Sequence, residues 1–251
     1  MTSTPDLFLA QVSERLPLLV QSAKDGEIAR AADLLAEVVA NGGVITAFGT
    51  GHSEAFAMEI AGRAGGLIPT SRMALRNIVL YGDRDISALS GPDLERDPSV
   101  SEDLFKQHPR DPRDAFIIIS NSGVNGSIVG VADQVKKNGH PLVVVTSLQH
   151  TQAVQPKHPS GKRLKDFADV VIDNLAPFGD STLEIADGMT MGAISSITGA
   201  FIAQLLQLGI AERLLARGVT PPVYISANVP GGDEHNTALT DKYAGRLRID
   251  G

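Results

Sequence analysis

Two short loops carry residue types suited to holding an anion. The first, Gly49-Thr50-Gly51-His52-Ser53, follows the apolar run from Val44 to Phe48. Its glycines allow a tight turn and close approach of backbone to a ligand. A helix opening behind them aims free N–H groups and the positive end of its dipole at negative charge. Ser53 stands where a hydroxyl either caps that helix or bonds the ligand. The second loop, Ser120-Asn121-Ser122-Gly123-Val124-Asn125, follows the apolar run from Ala115 to Ile119 and again leads into a helix. Thr146-Ser147 closes a third run of the same kind. A phosphate monoester offers several acceptor oxygens, and hydroxyls with backbone N–H groups satisfy them without an Arg or Lys. Nucleotides fit less well. Glu54 occupies the place of the third glycine in a dinucleotide fingerprint, and no Gly-Lys-Ser/Thr is present. Either loop alone could be an ordinary tight turn. Together they point to a small-molecule phosphate ester, provided their strands are neighbours.

Those loops need a scaffold that brings them to one edge. Strands are expected at 44–48, 115–119, 141–145 and 170–172, with a further element at 223–225. Helices are expected over 5–41 in two runs, 53–65 and 127–138, with a short one near 101–107. Asn41-Gly42-Gly43 is a strong helix stop. Continuous Val/Ile runs alternating with helices specify an α/β fold with a parallel sheet covered on both faces. Right-handed crossovers then set all strand C-terminal ends along one edge, where such folds bind ligands. Segments 82–114 and 148–165 read as surface loops or as flaps over those ends. One domain over 1–251 is expected, with a helical arm (1–42), an α/β core (43–227) and a tail (228–251).

Composition narrows the class. With 251 residues, 43% hydrophobic and 20% charged, the chain can bury a substantial core and is neither collagen-like nor broadly disordered. It has no Cys, which excludes thiol catalysis, Cys-based zinc sites and iron–sulfur clusters. Its net charge of −7 argues against broad nucleic-acid or anionic-membrane binding. Gly188 to Ala211 carries no charge and is long enough to span a bilayer. Interspersed Thr190, Ser195, Gln204 and Gln207, flanked by acidic Asp187 and Glu212, favour a buried or subunit-interface helix instead. Met1 to Asp6 is polar and lacks a secretory pattern, so a soluble cytoplasmic protein is expected.

The pairing of Gly-Thr-Gly-His-Ser (49–53) with Ser-Asn-Ser-Gly (120–123), each after a strand, resembles the SIS (sugar isomerase) phosphosugar-binding domain. Arg63-Ala-Gly-Gly66, Ser160-Gly-Lys162, Ala168-Asp-Val-Val-Ile-Asp173 and the tail Ser226 to Asn236 are similar to a bacterial single-domain subgroup of that family. The likeness runs from about residue 5 to 247. It implies a three-layer α/β/α sandwich with a five-stranded parallel sheet, a sugar-phosphate ligand and a homodimer or homotetramer. By the same resemblance Ser53, Ser120, Ser122 and Asn125 hold the phosphate. Gly49, Thr50, Gly51, Asn121 and Gly123 complete the two loops. Asn125 departs from the usual pattern, which has Thr there.

Aldose–ketose isomerisation moves a proton between adjacent carbons through an enediol, so it needs a base near those carbons. Glu59 is one candidate, six residues beyond Ser53 and hence roughly 9 Å along a helix at ~1.5 Å per residue. It is equally placed for an i,i+4 ion pair with Arg63. Glu184 is the second, expected in the opening turn of the long buried helix, where the dipole stabilises an acid in any case. His52 in the first loop and His235 in the tail are candidate proton shuttles, since imidazole titrates near neutrality. No His-x-His or His-Glu-x-x-His spacing supports a metal, and no cofactor is expected. A sugar-phosphate isomerase is the leading expectation. A lyase cleaving the ether of a muramic-acid phosphate, an amino-sugar isomerase using Lys242 for deamination, and a non-catalytic regulatory module stay open. A DNA-binding appendage and a basic patch are both lacking in the sequence.

Overall fold

Runs of β-branched residues bounded by Gly, Asn and Ser produce short, largely buried strands separated by helices, as a parallel sheet requires. A computed structural model describes residues 3–249. In chain order the elements are α1 (Thr4–Asp25), α2 (Glu27–Ala40), β1 (Ile45–Gly49), α3 (Glu54–Ile60) and β2 (Thr70–Met73). Then come α4 (Asn77–Leu80), α5 (Asp93–Arg96), α6 (Val100–Gln107), β3 (Ala115–Ile119), α7 (Gly126–Lys137), β4 (Leu142–Thr146) and α8 (Leu148–Ala153). The chain continues with β5 (Val170–Asp173), β6 (Ser181–Ala186), β7 (Met189–Ala193), α9 (Ile194–Ala216) and α10 (Gly232–Thr240).

The main sheet has five parallel strands in the order β2-β1-β3-β4-β5. Side chains alternate across it. Ile45, Ala47, Ile117, Ile119, Val143 and Val145 face a core made with α2, α3 and α9, including Leu35, Phe56, Ile202 and Leu206. Phe48, Phe116, Ile118, Leu142 and Val144 face the opposite way onto Leu104, Phe105, Ile128 and Val131 of α6 and α7. This is the three-layer α/β/α sandwich. Its register sets Gly49 beside Ile119, so the loops after β1 and β3 emerge side by side.

Several elements differ from the sequence reading. β2 has the polar sequence Thr-Ser-Arg-Met, yet all four residues are buried. Residues 223–225 form no strand of the sheet; Val223 makes one antiparallel bridge to Leu67. The helical arm divides: α2 buries Ile28, Leu35 and Val38 against α9 and the sheet, and so belongs to the sandwich itself.

The charge-free stretch is not one helix. Its first residues form the second strand of an antiparallel hairpin, β6–β7, turned at Asp187-Gly188, and α9 starts only at Ile194. Glu184 therefore lies exposed on β6 and not in the opening turn of α9. By length and composition α9 could cross a membrane. It buries a stripe at four-residue spacing, Ile194, Thr198, Ile202, Leu206, Ile210 and Leu214, and packs against α1, α2 and α3. Each such Ile or Leu contributes about 1.5–3 kcal/mol by leaving water.

The tail first pairs Tyr224 with Gly65 and Gly66, at the end of the sheet where strands begin. It then returns along β2. Arg246 bonds Gly42 O and ion-pairs with the buried Asp114. The Arg72 N–H donates to Arg248 O (2.6 Å), and the Arg248 N–H donates to Ser71 Oγ (2.9 Å).

Candidate functional site

The two anion loops are built as their glycines require. A Cβ on Gly49 would lie 2.5 Å from the carbonyl oxygen of Ser53, so only glycine lets the turn fold back this tightly. Gly51 (φ 56°) and Gly123 (φ 62°) both adopt the left-handed conformation. The Ser120 hydroxyl accepts from the Gly123 N–H (3.1 Å), closing the second loop on itself. Among the described residues the Ser53 and Ser122 hydroxyls have no protein partner, nor do the N–H groups of Gly126, Ser127 and Ile128 that open α7. Unpaired donors beside a helix dipole suit a bound anion. The Asn125 side chain is already engaged, donating to Glu95 Oε1 at 2.5 Å. Glu54 is held by Arg76 at 2.7 Å.

A cavity of about 370 Å³ opens beside the first loop, between α3, the ends of β1 and β3, and the start of α9. His52, Ser53, Glu59 and Asn121 line it, together with Asn174, Asp180 and Ser195. Glu59 is fixed through one oxygen: Oε2 accepts from Gln204 Nε2 (2.9 Å) and ion-pairs with Arg63, leaving Oε1 without a protein partner among the described residues. Gln207 Nε2 further donates to the Glu59 carbonyl (2.9 Å), so α9 positions the α3 acid twice. Asn121 is oriented by fully buried Asn174, whose Nδ2 donates to Asn121 Oδ1 at 3.0 Å.

Asp180 has a left-handed backbone (φ 70°), and its carboxylate accepts from both the N–H (2.8 Å) and the hydroxyl (2.6 Å) of Ser195. Its carbonyl accepts from the Ile194 N–H (3.2 Å). It thereby ties the first turn of α9 to the cavity wall. Nearby, His150 stacks on Phe178 (5.2 Å) and accepts from the Gly179 N–H through Nδ1 (2.9 Å). Burial lowers the His150 pKa from the usual imidazole value, against an opposing pull from Asp180.

The structure thus gathers His52, Ser53, Glu59 and Asn121 around one cavity, with Ser120, Ser122, Gly123 and Asn125 in the adjoining loop. It leaves out two candidates. Glu184 does not line the cavity, because its strand runs out along the hairpin. His235 lies on α10 and pairs through Nε2 with the Val223 carbonyl (3.0 Å), at the strand-start end of the sheet and opposite the cavity. Asn174, Asp180 and Ser195 enter without having been anticipated. Asp180 carries no local signature, since its value comes from a contact fifteen positions away. Among the described residues no three His, Asp or Glu side chains are grouped to hold a metal ion.

An α/β sandwich with a polar small-molecule cavity at the C-terminal edge of its parallel sheet is the class that this fold and site define. Residues 8–147 match the SIS domain model. A UPF0309 protein of Listeria monocytogenes is 40% identical over 222 residues, 88% of this chain and 89% of that one. A second, from Caldanaerobacter subterraneus subsp. tengcongensis, is 32% identical over 247 residues, 97% of this chain and 98% of that one. The chain belongs to the SIS domain family and, at this identity, to its UPF0309 relatives. Among solved structures, a phosphoheptose isomerase from Francisella tularensis has the same fold, with a TM-score of 0.53 at 14% identity, over 84% of this chain and all of that one (100%).

Proposed function

We propose that this protein binds a sugar phosphate and interconverts its aldose and ketose forms. The observation that carries the reading is the free Glu59 Oε1 in the same cavity as His52 and Ser53, with the unpaired donors of the second loop alongside. The phosphate is held by the Ser53 and Ser122 hydroxyls and the first-turn N–H groups of α7. Glu59 removes the proton from the carbon next to the carbonyl, giving an enediol, and returns it to the neighbouring carbon. Gln204 and Arg63, both on the other oxygen, keep Oε1 aimed into the cavity. His52 is the shuttle for the hydroxyl protons. His235 serves this chemistry only if a second copy brings its tail to the cavity. A homo-oligomer is in keeping with the exposed Leu208 and Leu215 on α9 (62% and 61% exposed), and light scattering measures its size.

A thermal-shift screen over sugar phosphates, with the free sugars as controls, tests binding. A ligand at 100 times its Kd adds about 2.7 kcal/mol, or roughly 5–11 °C for a chain of this size. The stabilising compound is then incubated in deuterated water. Deuterium incorporation at the carbon beside the carbonyl, lost by about 10²–10⁴-fold in Glu59→Gln with ligand affinity retained, supports the isomerase. Binding without exchange or turnover leaves a phosphosugar-binding module, and release of lactate marks the ether lyase.

A further inference from the structure

The second anion loop has an acidic neighbour that its proposed role does not call for. Glu95 sits on α5, and its position is fixed by the backbone and not by a flexible stem. The Ser127 hydroxyl donates to the Glu95 carbonyl (2.7 Å), and Leu94 beside it is buried. Gly126 lies directly beneath, where a Cβ would overlap the carbonyl oxygen of Arg96. From this anchorage the Glu95 side chain reaches between the two loops. One oxygen takes the Asn125 amide at 2.5 Å, and the other is 3.5 Å from the place a Cβ on Gly51 would occupy. Asn125 and Gly51 belong to the two loops that the family resemblance assigns to the phosphate, and Asn125 immediately precedes the first-turn N–H groups of α7. No Lys or Arg pairs with Glu95 among the described residues.

A carboxylate is itself an anion that accepts from amides, so it occupies the kind of position a phosphate oxygen needs. With both present, two like charges would face each other a few ångströms apart, shielded only partly by water. The carboxylate must therefore withdraw before a phosphate can use Asn125. Free phosphate has only the cradle contacts with which to displace it. A sugar phosphate has in addition the cavity lined by Glu59, Asn121 and Asn174.

We propose that Glu95 is a built-in competitor for the anion cradle, one that lowers its affinity for any phosphate, so that free phosphate alone fills it poorly and the added cavity contacts of a sugar are needed for binding. The inference rests on the cradle reading given above. It is a role in setting affinity, requiring no chemistry of Glu95 itself.

The test is titration calorimetry of the full chain with inorganic phosphate, on wild type, Glu95→Gln, Glu95→Ala and each Glu95 variant combined with Ser53→Ala and Ser122→Ala. Circular dichroism and thermal unfolding establish that each is folded, and the alanine variant stands in if the glutamine variant is not. Removing the carboxylate is expected to tighten phosphate binding at least tenfold, and the two serine substitutions are expected to cancel the gain. Equal affinity in wild type and the Glu95 variants, with the serine substitutions still weakening it, would overturn the competitor while leaving the cradle intact. Weaker binding on loss of Glu95 would mean that the acid orients Asn125 toward the ligand, and would also overturn it. A gain that survives the serine substitutions would put the extra phosphate elsewhere and do the same. Absence of phosphate binding in every protein would sink the cradle itself, and this inference with it.

Discussion

Asp180 combines a backbone cost with a capping gain, and the two can be separated by substitution. Its φ of 70° is one that a Cβ-bearing residue adopts at a cost of about 1–2 kcal/mol, with Asp and Asn among the more tolerant types. Its carboxylate bonds the Ser195 N–H and hydroxyl at 2.8 and 2.6 Å, closing the first turn of α9. Capping bonds of this kind contribute about 0.5–2 kcal/mol. Asp180→Asn keeps an acceptor for the Ser195 N–H and a tolerant backbone, so the loss should stay below about 1 kcal/mol. Asp180→Gly removes the cap but relieves the backbone, so the two effects offset, for a net change between a gain of about 1.5 kcal/mol and a loss of about 1 kcal/mol. Asp180→Ala loses the cap and keeps the strain, giving about 1–3 kcal/mol, or roughly 2–12 °C in Tm for a chain of this length. Urea unfolding of the three variants at one pH measures the series. If Asp180→Ala falls within 0.5 kcal/mol of wild type, the tie to α9 contributes nothing. If Asp180→Gly is no better than Asp180→Ala, the backbone half of the reasoning is wrong.

Three further outcomes follow from the geometry. His108 is buried with its Nε2 near the Thr46 and Ser71 hydroxyls, and burial, aided by Arg248 and Arg110, pushes its pKa down to about 3. Its folded form stays neutral while the unfolded form protonates below the ordinary value of 6.5, so stability is present above that pH and declines as pH falls toward 3. The slope is up to about 1.4 kcal/mol per pH unit. Denaturant unfolding should show the stability difference between wild type and His108→Gln shrinking by about 2 kcal/mol from pH 6.5 to 5; a constant difference would contradict this. Gly49→Ala places a Cβ 2.5 Å from the Ser53 carbonyl, so it should cost about 1–3 kcal/mol in unfolding free energy and weaken phosphosugar affinity together. Gly126→Ala should displace α5, destabilise by a similar amount, and raise amide hydrogen exchange over 93–101 while sparing the β1 loop.

Much of the sheet is legible in the sequence because four of its strands are mainly apolar runs, β1, β3 and β4 buried on both faces and β5 on one. Thr-Ser-Arg-Met at 70–73 escapes that signal. Its polar groups are buried only because the tail and His108 come from far along the chain to bond Ser71 and Arg72. The hairpin was within reach: Asp187-Gly188 between alternating residues is a short-range turn signal. The absence of charge after it made one long helix the simpler reading and misplaced Glu184. At the cavity, Ser53 and Asn121 are legible because a loop after a buried strand must open at the sheet's edge, and Glu59 because it follows on the helix behind the first loop. Asn174, Asp180 and Glu95 act through partners 53, 15 and 30 positions away, a relation that no local pattern encodes. The place of His235 away from the cavity of its own chain is unreadable for the same reason, since the path of the tail is set by the bridge between Leu67 and Val223.

The return of the tail along β2 has a consequence for association. β2 is a terminal strand of the sheet, and its outer side would present unpaired backbone groups to any extended segment of another molecule. The bond from the Arg72 N–H to Arg248 O occupies a donor there, Ser71 Oγ takes the Arg248 N–H, and Ile249 covers Gly62 nearby. The last described residues thus act as a guard rail against strand-to-strand polymerisation. A chain shortened before Arg246 would keep its cavity and its core but acquire an open, pairing-competent flank, with clumping of otherwise folded molecules as the expected defect.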